Sequence, residues 1–229
     1  IIAEFFPKNK CFGNLLAREI ESIDKVLNNS EKPVTAILGG AKVSSKIGVI
    51  ENIIEKVDHI IVGGGMTFTF IKALGGAIGN SLVEDDKLEL ALSILKLAKE
   101  QNTEIHLPVD AVIADAFSND ANTQTVDTTQ IPDGWMGLDC GPKTSEKFAE
   151  VIAKSKTILW NGPLGVFELE KFSTGTIELG NAIAKATEEG AFSVKNNSSE
   201  EKIKMMREVI RKEIPLNGID TKKSIDIYF

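Results

Sequence analysis

Residues 34–46 read Val-Thr-Ala-Ile-Leu-Gly-Gly-Ala-Lys-Val-Ser-Ser-Lys, and this stretch decides the fold that the sequence predicts. Its first five residues are apolar or β-branched, which is typical of a buried strand. Gly39 and Gly40 then interrupt the run. The apolar residues that follow have helical spacing: Ile47, Ile50, Ile54 and Val57. A strand, a glycine turn and a helix start together form a place where α/β proteins present free backbone N–H groups to an anion.

Two lysines lie within this stretch, Lys42 and Lys46. In a helical or near-helical entry their four-residue spacing puts both amines on one face, which suits a polyphosphate. At about 4 Å and an effective dielectric constant near 20, each lysine–phosphate pair gives about 4 kcal/mol before desolvation. A pair of solvated surface lysines fits the same local pattern. The spacing is not that of a P-loop, and no G-x-G-x-x-G occurs, so the stretch by itself predicts only an anion site.

The composition is that of an ordinary globular protein, with 42% hydrophobic and 26% charged residues. A net charge of −7 argues against nucleic acid or an anionic membrane as the main partner. Cys11 and Cys140 are too few for a disulfide framework or a zinc site, and we expect a cytoplasmic protein. No apolar run approaches the roughly 18 residues of a membrane span. The chain begins at Ile1, so we interpret it as a piece of a longer polypeptide.

Strand-like and helix-like patterns alternate along the chain. Strand patterns recur at 34–38, 58–62, 104–107, 111–114, 157–160 and 191–193, and helical patterns at 12–27, 66–74, 142–154 and 174–188. Ser81 and Glu84 have capping-box spacing and predict a further helix to about Gln101. This alternation predicts an α/β fold with a doubly wound parallel sheet in a Rossmann-like three-layer αβα arrangement. The loops after its strands then share one edge, where such sheets bind ligands.

Five consecutive segments resemble phosphoglycerate kinase in the order and approximate spacing of that family. They are GGAKVSSK at 39–46, IIVGGGMTFTF at 60–70, LPVDAVIADAFSNDA at 107–121, GWMGLDCGP at 134–142 and ILWNGPLGVFE at 158–168. All five resemble signatures of the family's carboxyl-terminal, nucleotide-binding domain. The resemblance covers residues 1 to about 193, and residues 12–27 resemble the helix that joins the two domains.

The resemblance implies a glycolytic kinase that converts ATP and 3-phosphoglycerate to ADP and 1,3-bisphosphoglycerate, reversibly and with Mg²⁺. Such chemistry depends on positioning and on neutralising charge that spreads over the transferred phosphoryl group. Lys42 matches the family's catalytic lysine at the transferring phosphoryl group. Lys46 matches the lysine that holds the nucleotide phosphates, and the turn at Gly39 and Gly40 belongs to the same nucleotide-binding set.

The remaining nucleotide-binding residues also follow from the resemblance. Gly63, Gly64 and Gly65 match a backbone wall against adenine, and Gly137 and Leu138 match the opposite wall. The loop under the ribose and phosphates matches Asn161, Pro163, Gly165 and Val166, and Glu168 matches the carboxylate that accepts from ribose hydroxyls. Apart from the resemblance, glycine clusters after strands are also typical of tight turns. Glu168 by itself is typical of a surface carboxylate.

Two features of the family are missing from this chain. The amino-terminal domain, which binds 3-phosphoglycerate in the family, is absent. The family turn G-G-G-D-[ST], which supports the phosphates and Mg²⁺, is replaced at 194–201 by Val-Lys-Asn-Asn-Ser-Ser-Glu-Glu. We therefore predict an interdomain segment and helix at 1–30, a nucleotide-binding α/β domain at 31–193 and a divergent, partly helical tail at 194–229.

No residue is assigned to a metal. His59 and His106 lie in or beside predicted strands without metal-ligand spacing, and we interpret both as structural. The aspartates of the strand-end loops, Asp110, Asp115, Asp120 and Asp139, fall on different strands and are assigned no catalysis.

Three functions stay open on the sequence alone. The first is the nucleotide-binding half of a phosphoglycerate kinase that is inactive alone, because 3-phosphoglycerate is held by the missing domain. The second is a non-catalytic adenine-nucleotide-binding module, and the third is a structural remnant. We expect a monomer whose partner is an adenine nucleotide.

Overall fold

The computed structural model describes Val26 and residues 28–195, with only the backbone of Lys195. Most of the predicted helix at 12–27 and the tail beyond residue 195 lie outside the described residues. The strands are β1 Val34–Leu38, β2 His59–Val62, β3 Ala77–Ile78, β4 Glu104–His106, β5 Asp110–Ala114, β6 Thr123–Asp127, β7 Gln130–Ile131, β8 Met136–Cys140, β9 Thr157–Asn161 and β10 Phe192–Lys195. The helices are α1 Ile47–Ile53, α2 Thr67–Ala73, α3 Leu88–Glu100, α4 Pro142–Lys154 and α5 Thr174–Glu188.

Strand β1 lies at the centre of a five-stranded sheet of order β10-β9-β1-β2-β4. Every pairing in this sheet is parallel, for example Leu38 with Val62 on one side and with Asn161 on the other. All five residues of β1 are buried, as expected for a strand covered on both faces. The predicted doubly wound parallel sheet is therefore confirmed.

Alternate residues of β1 face two separate hydrophobic cores. Ala36 and Leu38 pack into a core with Ile50 of α1 and Ile94 of α3. The opposite core holds Ile37, Ile61 of β2, Phe148 and Ile152 of α4, and Leu179 and Ile183 of α5. Full burial of each such side chain contributes about 1.5–3 kcal/mol. The two cores give the three-layer αβα arrangement that the alternation of strand and helix patterns predicts.

A second, antiparallel sheet of order β6-β5-β8 was not predicted, and it lies in the chain segment between α3 and α4. Of its three strands only β5 corresponds to a predicted strand pattern, the one at 111–114. Strand β6 is mostly exposed and polar, so it lacks the apolar alternation that marks a strand. Strand β8 contains Gly137 and Asp139, two residues that rarely favour strands.

The capping box predicted at Ser81 and Glu84 is wrong. Helix α3 begins only at Leu88, after a 3₁₀ turn at Asp85–Lys87. The Ser81 hydroxyl instead accepts a hydrogen bond from the Gly137 N–H at 2.9 Å. The Glu84 carboxylate accepts from the N–H and the hydroxyl of Ser44, at 3.0 and 2.5 Å. The two side chains that would cap a helix thus form hydrogen bonds with residues distant in the sequence instead.

No helix among residues 28–195 is long and apolar enough to span a membrane.

Candidate functional site

The loops that follow β1, β2 and β9 meet at the carboxyl edge of the parallel sheet through direct backbone contacts. The Gly39 N–H donates to the Asn161 carbonyl at 2.8 Å, and a Cβ at Gly39 would lie 2.0 Å from the Pro163 carbonyl oxygen. Gly64 has a φ of +71°, and a Cβ there would lie 2.6 Å from the backbone of Gly40. Only glycine allows this approach, so these two glycines do more than form turns.

A cleft of about 510 Å³ opens between these loops and the second sheet. Nine of the predicted nucleotide-binding residues line it, namely Gly40, Gly64, Gly65, Gly137, Leu138, Pro163, Gly165, Val166 and Glu168. The structure therefore brings together residues from four segments that lie far apart in the sequence. A mostly apolar cleft of this size with a few polar groups is typical of a small-molecule site.

Gly39 and Gly63 are not among the lining residues. The backbone carbonyls of Gly162 and Pro163 cover Gly39. A Cβ at Gly63 would lie 2.2 Å from Cδ2 of Leu164, so this glycine packs against the loop after β9. Both glycines thus let neighbouring loops pack closely, and the role in nucleotide binding that the resemblance implies for them stays a prediction.

Several apolar side chains of the cleft were missed by the sequence analysis. Phe68 lies directly behind Gly137, since a Cβ there would be 2.1 Å from the Phe68 ring. Leu82 and Phe117 line the cleft with 49% and 63% of their surface exposed. Exposed large apolar residues next to bare backbone suit a flat, partly apolar ligand. The only signal for Phe117 in the sequence is its place in the segment 107–121.

The two lysines of the first loop are placed differently. Residue 46 is the residue before α1, and a Cβ at Gly40 would lie 3.5 Å from Cε of Lys46, so this side chain passes the cleft lining. Its ammonium group donates to the side-chain oxygen of Asn161. Neither Lys46 nor Asn161 lines the cleft itself, so both lie just beyond the end formed by Gly40.

Lys42 is exposed and lies outside the helix, because residues 43–46 form a turn and α1 starts at Ile47. The expectation that Lys42 and Lys46 share one helix face is therefore wrong. Slight burial acts to raise the pKa of Glu84, but the Ser44 hydrogen bonds and the Lys42 charge lower it overall. Lys42 thus lies close enough to Glu84 for its charge to act on that carboxylate.

Two buried aspartates lie in the wall of the cleft. Asp110 accepts hydrogen bonds from the N–H groups of Lys143 and Thr144, at 3.1 and 2.8 Å, and so caps the start of α4. Asp139 accepts from the Gly175 and Cys140 N–H groups at 2.8 and 2.9 Å. Burial raises the pKa of Asp139 to about 7 despite these two donors. Both carboxylates thus accept hydrogen bonds from backbone N–H groups.

The cleft residues do not fit a preformed Mg²⁺ site. Mg²⁺ is usually held by one or two carboxylates together with substrate phosphates. Asp110 and Asp139 are occupied by backbone N–H groups, and Glu168 is an exposed side chain. Over the described part of the chain, the group of side chains able to hold an ion consists of His59, Glu104 and His106, which are not cleft residues.

The parallel sheet, its two helical layers and the cleft at the carboxyl edge define an α/β protein of the Rossmann-like class. The chain belongs to the phosphoglycerate kinase family, because the family model described as Phosphoglycerate kinase matches residues 1–208.

Curated relatives and solved structures agree with this assignment. The phosphoglycerate kinases of Porphyromonas gingivalis and Thermosipho africanus are both 53% identical, over 85% and 84% of this chain and 47% and 48% of their own. The structure of phosphoglycerate kinase from Coxiella burnetii matches with a TM-score of 0.80 and 40% identity, over 87% of this chain and 50% of that one. The enzyme from Pyrococcus horikoshii OT3 matches with a TM-score of 0.72 and 28% identity, over 86% and 49%. The chain spans about half the length of the relatives it matches.

Proposed function

We propose that this chain is the nucleotide-binding half of a phosphoglycerate kinase and binds ATP or ADP in the cleft at the carboxyl edge. The observation that carries the proposal is the convergence of nine residues from the family's nucleotide segments on one cleft. Family membership and the ordinary position of ligand sites in open α/β sheets support it.

The shape of the cleft suggests how the nucleotide lies. Bare backbone at Gly64, Gly65 and Gly137 and the apolar side chains of Leu82 and Phe117 suit the adenine ring. Glu168, an exposed lining residue, is a hydrogen-bond acceptor for ribose hydroxyls. The phosphates then extend past Gly40 toward Lys46, whose ammonium group would exchange Asn161 for a phosphate oxygen.

Lys42 is proposed as the residue that meets the transferring phosphoryl group. Its exposed position in the loop leaves its amine free to reach beyond the cleft toward a second substrate. In phosphoryl transfer such a cation stabilises charge that develops on the equatorial oxygens. The acceptor, 3-phosphoglycerate, would be held by the amino-terminal half that the relatives have in addition.

Calorimetric titration of the chain with ADP, ATP and adenosine tests the proposed site. We expect saturable binding of both nucleotides at one site per chain and weaker binding of adenosine. In a competition titration, ADP should displace bound ATP. Failure of both nucleotides to bind, or equal competition by inorganic triphosphate, would show that the cleft does not recognise adenosine.

A non-catalytic adenine-nucleotide-binding module is the second candidate. The absence of a carboxylate set for Mg²⁺ among the described cleft residues favours it. Repeating the ADP titration with and without Mg²⁺ separates the two functions. A clear gain in affinity with Mg²⁺ favours the kinase half, and equal affinity favours the module.

A further inference from the structure

The side chains of the two histidines of the sequence meet across the neighbouring strands β2 and β4. His59 is the first residue of β2 and pairs with Glu104, the first residue of β4. His106 lies two residues further along β4, so its side chain is on the same face as that of Glu104. The histidines are 47 residues apart, a separation that matches no metal-binding motif. The parallel register of β2 and β4 nevertheless brings them together.

Three potential ligand atoms form a nearly regular triangle. His59 Nδ1 lies 3.1 Å from His106 Nε2, and these atoms lie 3.6 and 3.8 Å from Glu104 Oε2. Zinc binds nitrogen or oxygen at about 2.0–2.2 Å in a tetrahedron, whose ligand atoms are then about 3.3–3.6 Å apart. The triangle needs shifts of only a few tenths of an ångström to match, so it could take the ion without a change in the backbone.

The geometry points to a site for a divalent transition metal, Zn²⁺ in particular, formed by His59, Glu104 and His106 with one position open to water. Two imidazoles and a carboxylate form a donor set that zinc and its neighbours favour, whereas Mg²⁺ prefers oxygen ligands alone. The Glu104 side chain is 67% exposed, so the site has an entry path from solvent.

The surroundings of the site contain charges of both signs. Asp58 precedes His59, and its carboxylate is held by the Lys32 ammonium group and the Val34 N–H at 2.9 and 2.8 Å. The Lys147 ammonium group donates to the carbonyl of Leu107, the residue after His106, at 3.1 Å. The Asp58 carboxylate already accepts from two donors, and the protonated Lys147 amine has no lone pair with which to bind a metal.

A bound metal would link the outer strand β4 to its neighbour β2 through residues that do not line the cleft. Strand β4 has three residues, and within residues 28–195 it pairs only with β2, so few hydrogen bonds hold it there. We therefore expect zinc to stabilise the fold without competing with a nucleotide. This inference does not depend on the proposed function.

Two measurements on the nucleotide-free chain test the site: calorimetric titration with ZnCl₂, and thermal unfolding with and without ZnCl₂. We expect saturable binding, a rise in the unfolding midpoint and no such rise with Mg²⁺. Glu104→Gln removes an exposed ligand and should lower zinc affinity at least tenfold while the fold is kept. His59→Gln should lower it further, because an amide is a poor ligand for zinc.

The matched control is Glu100→Gln, which changes an exposed glutamate outside the triangle and should bind zinc like the unaltered chain. Co²⁺ used in place of zinc should show visible absorption without a thiolate charge-transfer band, since neither ligand type is a cysteine. The inference is overturned if no saturable zinc binding is seen, or if Glu104→Gln and His59→Gln bind zinc as tightly as Glu100→Gln.

Discussion

The ammonium group of Lys46 donates a hydrogen bond to the side-chain oxygen of Asn161, which links the loop after β1 to the end of β9. Strands β1 and β9 are neighbours in the sheet, so the two residues meet although 115 positions separate them. The contact lies just beyond the Gly40 end of the cleft, where the proposed function puts phosphate.

Replacing Lys46 with alanine should weaken ADP and ATP binding by about 1–3 kcal/mol, the range for losing a charge-assisted hydrogen bond. Adenosine binding should hardly change, because the base and ribose lie further along the cleft. Calorimetry of the three ligands measures the difference. Lys96→Ala, at an exposed position on α3, is the control and should leave all three affinities unchanged. Equal losses for adenosine and ATP would contradict the phosphate role.

Replacing Leu82 with alanine should weaken binding of adenosine and of ADP by a similar amount, about 1 kcal/mol. The reason is that about 25 cal/mol are lost per Å² of apolar surface no longer covered by the base. Leu74→Ala provides a matched control, since Leu74 is 58% exposed and does not line the cleft. If both variants bind adenosine equally well, the base does not contact Leu82.

Asp139 should make the protein less stable as the pH rises from about 4 to about 7. Burial raises its pKa from 3.8 to about 7, so the folded state binds a proton that the unfolded state releases. This difference corresponds to at most about 4 kcal/mol of unfolding free energy, fully lost above pH 7. Urea unfolding of the unaltered chain and of Asp139→Asn at several pH values should show a smaller decline in the variant.

The slope with pH is the quantity to compare, because asparagine also changes the hydrogen bonds to Gly175 and Cys140. Asp133→Asn, at an exposed turn position, should keep the slope of the unaltered chain. An unchanged slope in Asp139→Asn would mean that this carboxyl is ionised in the folded state at acidic pH.

The chain alone should not phosphorylate 3-phosphoglycerate at a measurable rate. On the proposed function the acceptor is held by the half of the relatives that this chain does not span, and proximity supplies up to about 7–11 kcal/mol of the lowering of the barrier. An assay coupled to ADP formation measures turnover. Rates in the range of ordinary kinases, about 1–100 s⁻¹, would show that the acceptor site lies within this chain. Addition of a separate amino-terminal half from a relative is the positive control.

The sequence by itself determined the parallel sheet and the loops that carry the cleft. Buried parallel strands are continuous apolar runs, and here each of the main ones is followed by glycines: Gly39 after β1, Gly63 after β2 and Gly162 after β9. Such a run can be recognised from its own residues alone, because a strand that is covered on both faces is apolar at nearly every position. Because these strands run parallel, the three loops that follow them lie at one edge of the sheet.

Only the tertiary structure decided which partners the polar side chains take. Ser81 and Glu84 have the spacing of a helix cap, yet they bond to Gly137 and Ser44, because those contacts satisfy groups from two segments at once. The exposed strand β6 likewise forms because β5 offers it a hydrogen-bonding edge. Local pattern cannot reveal either outcome.

The cluster of His59, Glu104 and His106 shows the same limit most clearly. Their sequence spacing matches no metal motif, and each residue alone is an ordinary strand-end side chain. The parallel register of β2 with β4 sets their distances, since it aligns His59 with Glu104 and leaves His106 two residues along on the same face. Register is a property of two strands together, and the sequence of one strand does not contain it.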